Sequence, residues 1–376
     1  MNNRIEALAE QLVKRGLDWV ALNPGPSLQY LTGLSFHLME RPVVVLVGSG
    51  GQVKVVLPEL EQLKLANLPF EAEIIAFGDD PASWQGVYQQ ALSAISSQPL
   101  RVGVEPTRLR FLELDLLRKA LPEAEFVDGS AALAGLRMRK GKEELKAMCQ
   151  AAIIAQNALL KTLETVKPGQ SELQISAELM VQLFRAGSEA ELPFAPIVST
   201  GPNTANPHAS PTDRVLLEGE MLLIDWGAGF AGYFSDITRT FFCGEPNDEM
   251  KRIAGLVEKA NAAARLGGQS GTPAGEVDQL ARDVITRGGY GEHFTHRTGH
   301  GLGMEAHEQP YIFQGNPLIL EPGMVFTIEP GIYLPGKYGV RIEDDVVVEE
   351  DGLRSLTDLP RKVMRIEEFL AAARNG

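Results

Sequence analysis

The segment HRTGHGLGMEAHEQP, from His296 to Pro310, contains three of the six histidines of the chain. Imidazoles bind metals or carry protons near neutral pH, so the residue types alone permit either chemistry. Glycine disfavours helix, and glycines flank His300 closely. We therefore predict an irregular, close-packed strand or loop in which His300 is a metal ligand and His307 faces the same cavity. The glycines would let the backbone approach a metal or a substrate closely. Structural roles are expected for His37, His293 and His296.

Two other segments each pair two carboxylates. In MLLIDWGAGFAGYFSDITRTFF, an apolar strand reaches Asp225, and a second strand after a glycine-rich turn carries Asp236. In MVFTIEPGIYLPGKYGVRIEDDVVV, a strand reaches Glu329 and the return strand carries Glu343. Each acid alone is equally well explained as a surface carboxylate or half of an internal salt bridge. The repeated pairing favours a shared role, because an acid ending an apolar strand is costly to bury without a cation.

The four carboxylates would repel one another if they converged without a cation. Hard divalent cations prefer oxygen ligands, and two such ions can share four carboxylates and one imidazole. A carboxylate-rich set suits manganese, and the imidazole also admits cobalt or zinc. His208 precedes the Asp225 strand in NTANPHAS, where a role in the site and a structural role are equally compatible with the sequence.

The elements around these residues indicate an α+β protein of two domains, residues 1–135 and 136–376. The first domain alternates helical and strand patterns, including a Val-rich hairpin in PVVVLVGSGGQVKVVLP. A stretch of small residues before residue 135 leads into the second domain. There we predict helices over about 142–166, 172–186, 248–266 and 273–287, with Ser171 as an N-cap. Strands and glycine-rich loops occupy most of the rest.

The overall charge excludes several classes of partner. The formal net charge is −14 at pH 7, which disfavours nucleic acid and anionic membranes. Only two cysteines are present, so a disulfide framework or a cysteine-based zinc site is not expected. The N-terminal segment lacks the apolar core of a signal peptide. We therefore expect a cytoplasmic protein.

These motifs resemble those of the pita-bread metallopeptidases, the family of prolidase (Xaa-Pro dipeptidase), aminopeptidase P and methionine aminopeptidase. The matching segments are DWGAGFAGYFSDITRTF, TGHGLGMEAHE, EPGMVFTIEPGIY and GVRIEDDVVV. The resemblance covers about residues 137–376. The region before it is similar to the creatinase-like α/β domain that methionine aminopeptidases lack, which favours the proline-specific branch. The family's five metal ligands map, in order, onto Asp225, Asp236, His300, Glu329 and Glu343.

The resemblance implies a dinuclear exopeptidase that hydrolyses the Xaa-Pro bond of dipeptides with a metal-activated hydroxide, and a homodimer. Glu329 matches the proton acceptor, and His208 and His307 match histidines that contact the substrate. Arg341 matches an arginine that supports the carboxylates or binds substrate. The alternative is an aminopeptidase P that removes the first residue from longer Xaa-Pro peptides. A creatinase-like hydrolase without metal and a peptide-binding scaffold fit less well, because all five ligand positions are intact.

The sequence departs from the family pattern at one position. Many relatives have an arginine after the HE-P segment, where it can bind the terminal carboxylate of a dipeptide. Here the sequence is HEQPYIF, with Tyr311 at that place. A strict dipeptidase would therefore need another cation. Arg41 is one candidate if the N-terminal domain reaches a partner's site, although a structural salt bridge explains it better.

Overall fold

The computed structural model describes residues 2–66, 68–95 and 99–375. It divides into two compact units, Met1–Arg137 and Met138–Gly376. Among the described residues, no helix has both the length and the apolar character that crossing a membrane requires.

The first unit packs helices against one mixed β-sheet. Its elements are α1 (Asn2–Arg15), β1 (Trp19–Leu22), α2 (Pro26–Thr32), β2 (Val44–Gly48), β3 (Val53–Pro58), β4 (Glu73–Phe77), α3 (Trp84–Leu92), β5 (Arg101–Val104), α4 (Phe111–Ala120), β6 (Glu125–Asp128) and α5 (Ser130–Arg137). The sheet order is β4-β3-β2-β1-β5-β6, and β2 and β3 form the predicted antiparallel hairpin. The valines suit this hairpin because β-branched side chains pack well on a pleated surface.

Four helices of the second unit pack in two pairs, α6 with α7 and α8 with α9. Its helices are α6 (Lys142–Leu163), α7 (Glu172–Arg185), α8 (Asp248–Gly267), α9 (Ala274–Arg287) and α10 (Ile366–Asn375). Ser171 caps α7 as predicted, because its hydroxyl accepts a hydrogen bond from the Gln174 amide.

Strands and loops make up the rest of the second unit. The strands are β7 (Ile197–Thr200), β8 (Glu220–Trp226), β9 (Gly229–Phe230), β10 (Tyr233–Phe234), β11 (Ile237–Cys243), β12 (Gly299–Gly301), β13 (Glu308–Ile312), β14 (Val325–Ile328), β15 (Gly331–Leu334), β16 (Tyr338–Arg341), β17 (Asp344–Glu349), β18 (Gly352–Ser355) and β19 (Met364–Arg365). One sheet has the order β19-β11-β8-β7, and another has β13-β12-β14-β17-β18. One apolar core joins α6 and α7 to β8 and β11, and a second joins α8 and α9 to β14 and β17.

One helix boundary differs from the expectation. The helix predicted over 142–166 ends at Leu163, where the Thr165 amide turns back to the Thr162 carbonyl. The small-residue stretch before residue 135, for which no element was predicted, forms helix α5, because alanine and leucine are good helix formers. Neither feature changes the strands that carry the candidate site.

Candidate metal centre

The two acid-bearing hairpins meet side by side in the second unit. In the first, β8 and β11 pair antiparallel, which places Asp225 opposite Thr238 and Asp236 just before β11. In the second, Glu329 directly follows β14 and Glu343 directly precedes its partner β17. An isolated bridge between Thr238 and Glu343 joins the two hairpins. The four acids therefore lie around one seam between the two sheets.

The structure brings all four acids and His300 together. Asp225, Asp236 and Glu343 each offer an oxygen within 4.8 Å of the others, and His300, Glu329 and Glu343 form a second such group. The Nε2 atom of His300 lies 3.5 Å from Glu329 and 3.7 Å from Asp236. His307 joins Asp236 and His300 in a third group, and its ring centroid is 3.8 Å from that of His300.

The electrostatics of this cluster fit a cation. Burial, followed by repulsion from Glu343 and Asp225, raises the pKa of Asp236 well above its ordinary value. Burial likewise raises the pKa of Glu329 to about 8. Within the described part of the chain, the Oδ1 atoms of Asp225 and Asp236 have no hydrogen-bond partner although both are buried. Buried oxygens without donors are what a divalent ion would satisfy.

The orientation of His300 also suits a metal. Its Nδ1 lies 3.1 Å from the Gly301 carbonyl, which can only accept a hydrogen bond, so Nδ1 donates. The lone pair of the neutral ring is then on Nε2, the atom that faces Asp236 and Glu329. Burial lowers the pKa of His300 well below its ordinary value, which keeps the ring neutral as a ligand requires.

The glycines around His300 have a different role from the one expected. The sequence predicts that they let the backbone approach a metal or a substrate. In the structure they let β12 pack against its neighbours: a Cβ on Gly299 would lie 1.8 Å from the Thr327 carbonyl oxygen, and one on Gly301 would lie 2.2 Å from the Gln309 carbonyl oxygen. These glycines therefore fix the strand that positions His300.

We expect Gly299→Ala to destabilise the protein by more than about 2 kcal/mol, because the new methyl group would clash with backbone that cannot move aside. Gly255→Ala is the matched control. Gly255 lies inside α8 with nothing within 4 Å of its would-be Cβ, so alanine should stabilise the protein by up to about 1 kcal/mol. Urea unfolding monitored by circular dichroism measures both. Equal stability of the two variants would contradict the packing explanation.

The guanidinium of Arg341 is buried and forms hydrogen bonds with several side chains of the site. Its guanidinium donates to Asp225 Oδ2 at 2.5 Å, to the Tyr333 hydroxyl at 2.9 Å and to Thr238 Oγ1 at 3.1 Å. The side chain is 2% exposed. These contacts favour support of the carboxylates over direct substrate binding. Tyr333 was not identified from the sequence, because only the β15–β16 pairing brings it close to Arg341.

His296 lies closer to the cluster than its expected structural role suggests. Its Nε2 is 2.8 Å from the Tyr333 hydroxyl, and its Nδ1 is 4.0 Å from Glu329 Oε2. Burial lowers its pKa to about 4, so the ring is neutral at pH 7. By contrast His37 is exposed, and His293 packs near the Tyr290 ring, 6.1 Å between centroids.

Asp344 and Asp345 follow Glu343 but face different surroundings. Asp345 Oδ2 accepts the Asp236 amide, so this acid lies on the cluster side. Asp344 lies on the other side and accepts from Arg239 and Arg361, both at 2.8 Å. Burial raises the pKa of Asp344, but the two arginines overcome this effect and hold the pKa well below its usual range. Asp344 is therefore a structural anion.

The remaining candidates lie at or near the exposed side of the cluster. His208 and His307 are both exposed. Tyr311 pairs with His300 across β12 and β13, and the Arg297 guanidinium lies 4.4 Å from its ring centroid. Arg41, in the first unit, is paired with Asp79 and Glu40 at 2.5 Å each, which agrees with a structural salt bridge.

Comparison with known proteins identifies the two domains. A family model described as metallopeptidase family M24 matches residues 146–350, and one described as the creatinase/prolidase N-terminal domain matches residues 4–139. The probable dipeptidase PepE of Mycobacterium tuberculosis is 35% identical over 369 residues, which cover 96% of this chain and 95% of the relative. The Xaa-Pro dipeptidase of Pyrococcus horikoshii is 31% identical over 365 residues, covering 97% and 99%.

Solved structures are similar over the same length. The crystal structure of a dipeptidase from Pyrococcus horikoshii aligns with a TM-score of 0.90 and 37% identity, covering 96% of this chain and 99% of that one. An X-Pro aminopeptidase from Thermotoga maritima aligns with a TM-score of 0.82 and 29% identity, covering 96% and 99%. With both domains and the clustered acids and histidines accounted for, the chain belongs to metallopeptidase family M24 and carries the creatinase/prolidase N-terminal domain.

Proposed function

We propose that this protein is an Xaa-Pro dipeptidase whose Asp225, Asp236, His300, Glu329 and Glu343 hold two divalent metal ions. The observation that carries the proposal is the cluster of carboxylates around His300 Nε2, in which Asp225 and Asp236 each have a buried oxygen without a hydrogen-bond partner among the described residues. The oxygen-rich donor set favours manganese, with cobalt or zinc as alternatives. The ions, when bound, supply Lewis acidity and lower the pKa of a bound water.

Residues of the chain accept the proton, stabilise the developing charge and orient the substrate. Glu329 is the proton acceptor, because it is the most exposed of the four acids, with 16% of its side chain exposed against 11% for Asp225. His307 donates a hydrogen bond to the substrate carbonyl as negative charge develops on its oxygen. Although part of His307 is exposed, partial desolvation by the surrounding protein lowers its pKa, which keeps the ring neutral and able to donate. His208 orients the peptide from the other exposed position.

Arg297 supports the preference for dipeptides over longer peptides. Many relatives have an arginine after the HE-P segment, at the position of Tyr311. In this chain Arg297 provides a cation instead. Its guanidinium lies over the Tyr311 ring, and within the described residues it forms no ion pair with a carboxylate. Burial lowers the pKa of His307, and the charge of Arg297 lowers it further, so the guanidinium lies near the substrate side. A cation there can bind the terminal carboxylate of a dipeptide.

Arg297→Met should lower kcat/KM for Ala-Pro by at least about 10-fold, because a charge-assisted hydrogen bond contributes about 1.5–3 kcal/mol. Hydrolysis of Ala-Pro-amide, which lacks the terminal carboxylate, should change little. Arg287→Met, at an exposed ion pair on α9, is the matched control and should leave both rates unchanged. Rates are measured with each substrate on metal-loaded enzyme.

The same assay separates the two candidate activities. A dipeptidase prefers Ala-Pro to Ala-Pro-Ala, whereas an aminopeptidase P prefers the tripeptide. The similarity to the X-Pro aminopeptidase of Thermotoga maritima makes the second activity the main alternative. Strong preference for Ala-Pro-Ala, with no effect of Arg297→Met, would reject the dipeptidase assignment. Metal content followed by reconstitution of the chelated protein with manganese, cobalt or zinc identifies the active ions.

A further inference from the structure

One buried carboxylate holds together the two ends of a loop in the second unit. Glu172, the first residue of α7, is 0% exposed. Its Oε1 atom accepts hydrogen bonds from the Thr200 amide at 2.7 Å, from Thr200 Oγ1 at 3.0 Å and from Asn203 Nδ2 at 3.0 Å. Its Oε2 atom accepts from the Thr212 amide at 3.0 Å, from Thr212 Oγ1 at 2.7 Å and from Asn203 Nδ2 at 3.1 Å. Glu172 therefore closes the segment 200–212, which we call the His208 loop.

The position of Glu172 at the start of a helix does not explain its burial. An acid in the first turn of a helix is favoured by the helix dipole, but that preference holds equally for an exposed side chain. Burying a carboxylate is costly unless donors surround it. The donors here come from both ends of the His208 loop, and an ionised carboxylate suits them because both of its oxygens only accept. A glutamine in this place would turn an NH2 group towards the donors at one end.

The middle of the His208 loop reaches the candidate metal centre. Arg341, which binds Asp225, also donates from Nη1 to the Pro207 carbonyl at 3.3 Å. His208 is the next residue. Within the described part of the chain its imidazole forms no hydrogen bond, so the backbone of the loop determines where the ring lies.

Helix α7 gives the loop a rigid anchor. Ile175 and Leu179 of the helix share one apolar core with Ile224 of β8, the strand that carries Asp225. Glu172 therefore ties the His208 loop to the packed body that holds part of the candidate metal centre. Small displacements matter there, because a shift of about 1 Å in a group that positions the substrate can lower a rate about 100-fold.

We propose that Glu172 is a positioning residue: by closing the His208 loop, its carboxylate holds the His208 imidazole where it orients the substrate. Glu172 itself is fully buried, so it acts through the loop and does not touch the peptide. The proposal rests on the proposed function, which assigns the orienting role to His208. Two measurements, one of activity and one of backbone exchange, test the proposal and the proposed function separately.

The first measurement is a double-mutant cycle on metal-loaded enzyme with Ala-Pro as substrate. Glu172→Gln should lower kcat/KM about 10- to 100-fold, because His208 is no longer held in place. The same change should have little further effect in a His208→Ala background, since the two residues act through one imidazole. Glu258→Gln is the matched control: Glu258 is half-buried and accepts from the Val363 amide at 2.8 Å, outside the His208 loop. Its kcat/KM should stay at the wild-type value.

Hydrogen exchange of the metal-free protein provides the second measurement and needs no activity. In Glu172→Gln, peptides that cover the His208 loop should exchange about 10-fold faster, because the amides at both ends lose a charged acceptor. Glu258→Gln should leave this exchange unchanged. Thr212→Val is a milder variant: Thr212 is exposed, and the change removes one hydroxyl donor. It should also speed exchange of the loop and lower kcat/KM, in both cases by less than Glu172→Gln.

Unchanged exchange of the His208 loop in Glu172→Gln would overturn the proposal. A loss of kcat/KM as large in the His208→Ala background as in the wild type would overturn it too. Where circular dichroism shows that Glu172→Gln does not fold, Thr212→Val decides by the same two criteria. A wild-type protein that hydrolyses no Ala-Pro would contradict the proposed function, whereas faster exchange of the loop in the same variants would still support its closure by Glu172.

Discussion

Replacing His300 with alanine should lower kcat for Ala-Pro hydrolysis by about 10³-fold or more, because loss of a metal ligand removes several kcal/mol of transition-state stabilisation. The bound metal content should fall as well. The physical reason is the position of Nε2 between Glu329 and Asp236, at 3.5 and 3.7 Å. Metal content is measured by inductively coupled plasma mass spectrometry after dialysis, and activity by proline release.

His293→Ala is the matched control for this experiment. His293 lies near the same segment but outside the acidic cluster, with its ring beside Tyr290. Its variant should keep both metal content and activity. If His300→Ala retained its metal ions and full activity, the assignment of the metal centre would be wrong. If it retained metal but lost activity, His300 would act on substrate and not as a ligand.

Arg239→Met should lower the free energy of unfolding by about 3–5 kcal/mol, the usual cost of removing one member of a buried ion pair. Arg239 is 1% exposed and bonds Asp344, which is fully buried. The same guanidinium donates to the carbonyls of Thr238, Glu343, Leu359 and Pro360. Its removal therefore takes away one of the two arginines that bind Asp344, of which Arg361 is the other, and leaves several backbone acceptors without a donor.

The surface pair of Arg374 and Glu164 provides the comparison. Its members are 64% and 35% exposed, with 2.8 Å between them. Arg374→Met should change stability by less than about 1 kcal/mol, because water already solvates both charges. Chemical unfolding of metal-free protein measures both variants without a contribution from metal binding. Similar losses for the two would show that the buried network contributes no more than a surface ion pair.

The local sequence was sufficient to predict that the four acids and His300 lie close together. Asp225 and Glu329 come at or just beyond the ends of apolar strands, and turn residues separate each from Asp236 or Glu343, so strand periodicity alone suggests their pairing. The N-cap at Ser171 was predictable for the same reason, because its partner Gln174 is three residues away. Contacts within a hairpin or a helical turn depend on the number of residues between the partners, which can be counted in the sequence.

Contacts between distant segments could not be read in this way. The Arg341–Asp225 and Arg239–Asp344 pairs join residues more than 100 positions apart, and no periodic pattern encodes them. The packing partner of Gly299 could not be predicted for a related reason: the atom that requires the glycine belongs to Thr327, on a strand that follows later in the chain. The role proposed for Arg297 could not be predicted either, because it depends on the register that places Tyr311 opposite His300 and on the contact of Arg297 with the Tyr311 ring.

The bridge between Thr238 and Glu343 has a consequence for how the metal centre assembles. The Glu343 amide donates to the Thr238 carbonyl at 3.1 Å, and the Thr238 hydroxyl donates to the Glu343 carboxylate at 2.6 Å. Each half of the catalytic domain carries only part of the proposed donor set, so neither half would bind the proposed ions fully by itself. Ion binding would then add to the cooperativity of folding across this seam, and an opening of the seam would release the ions before either half had unfolded.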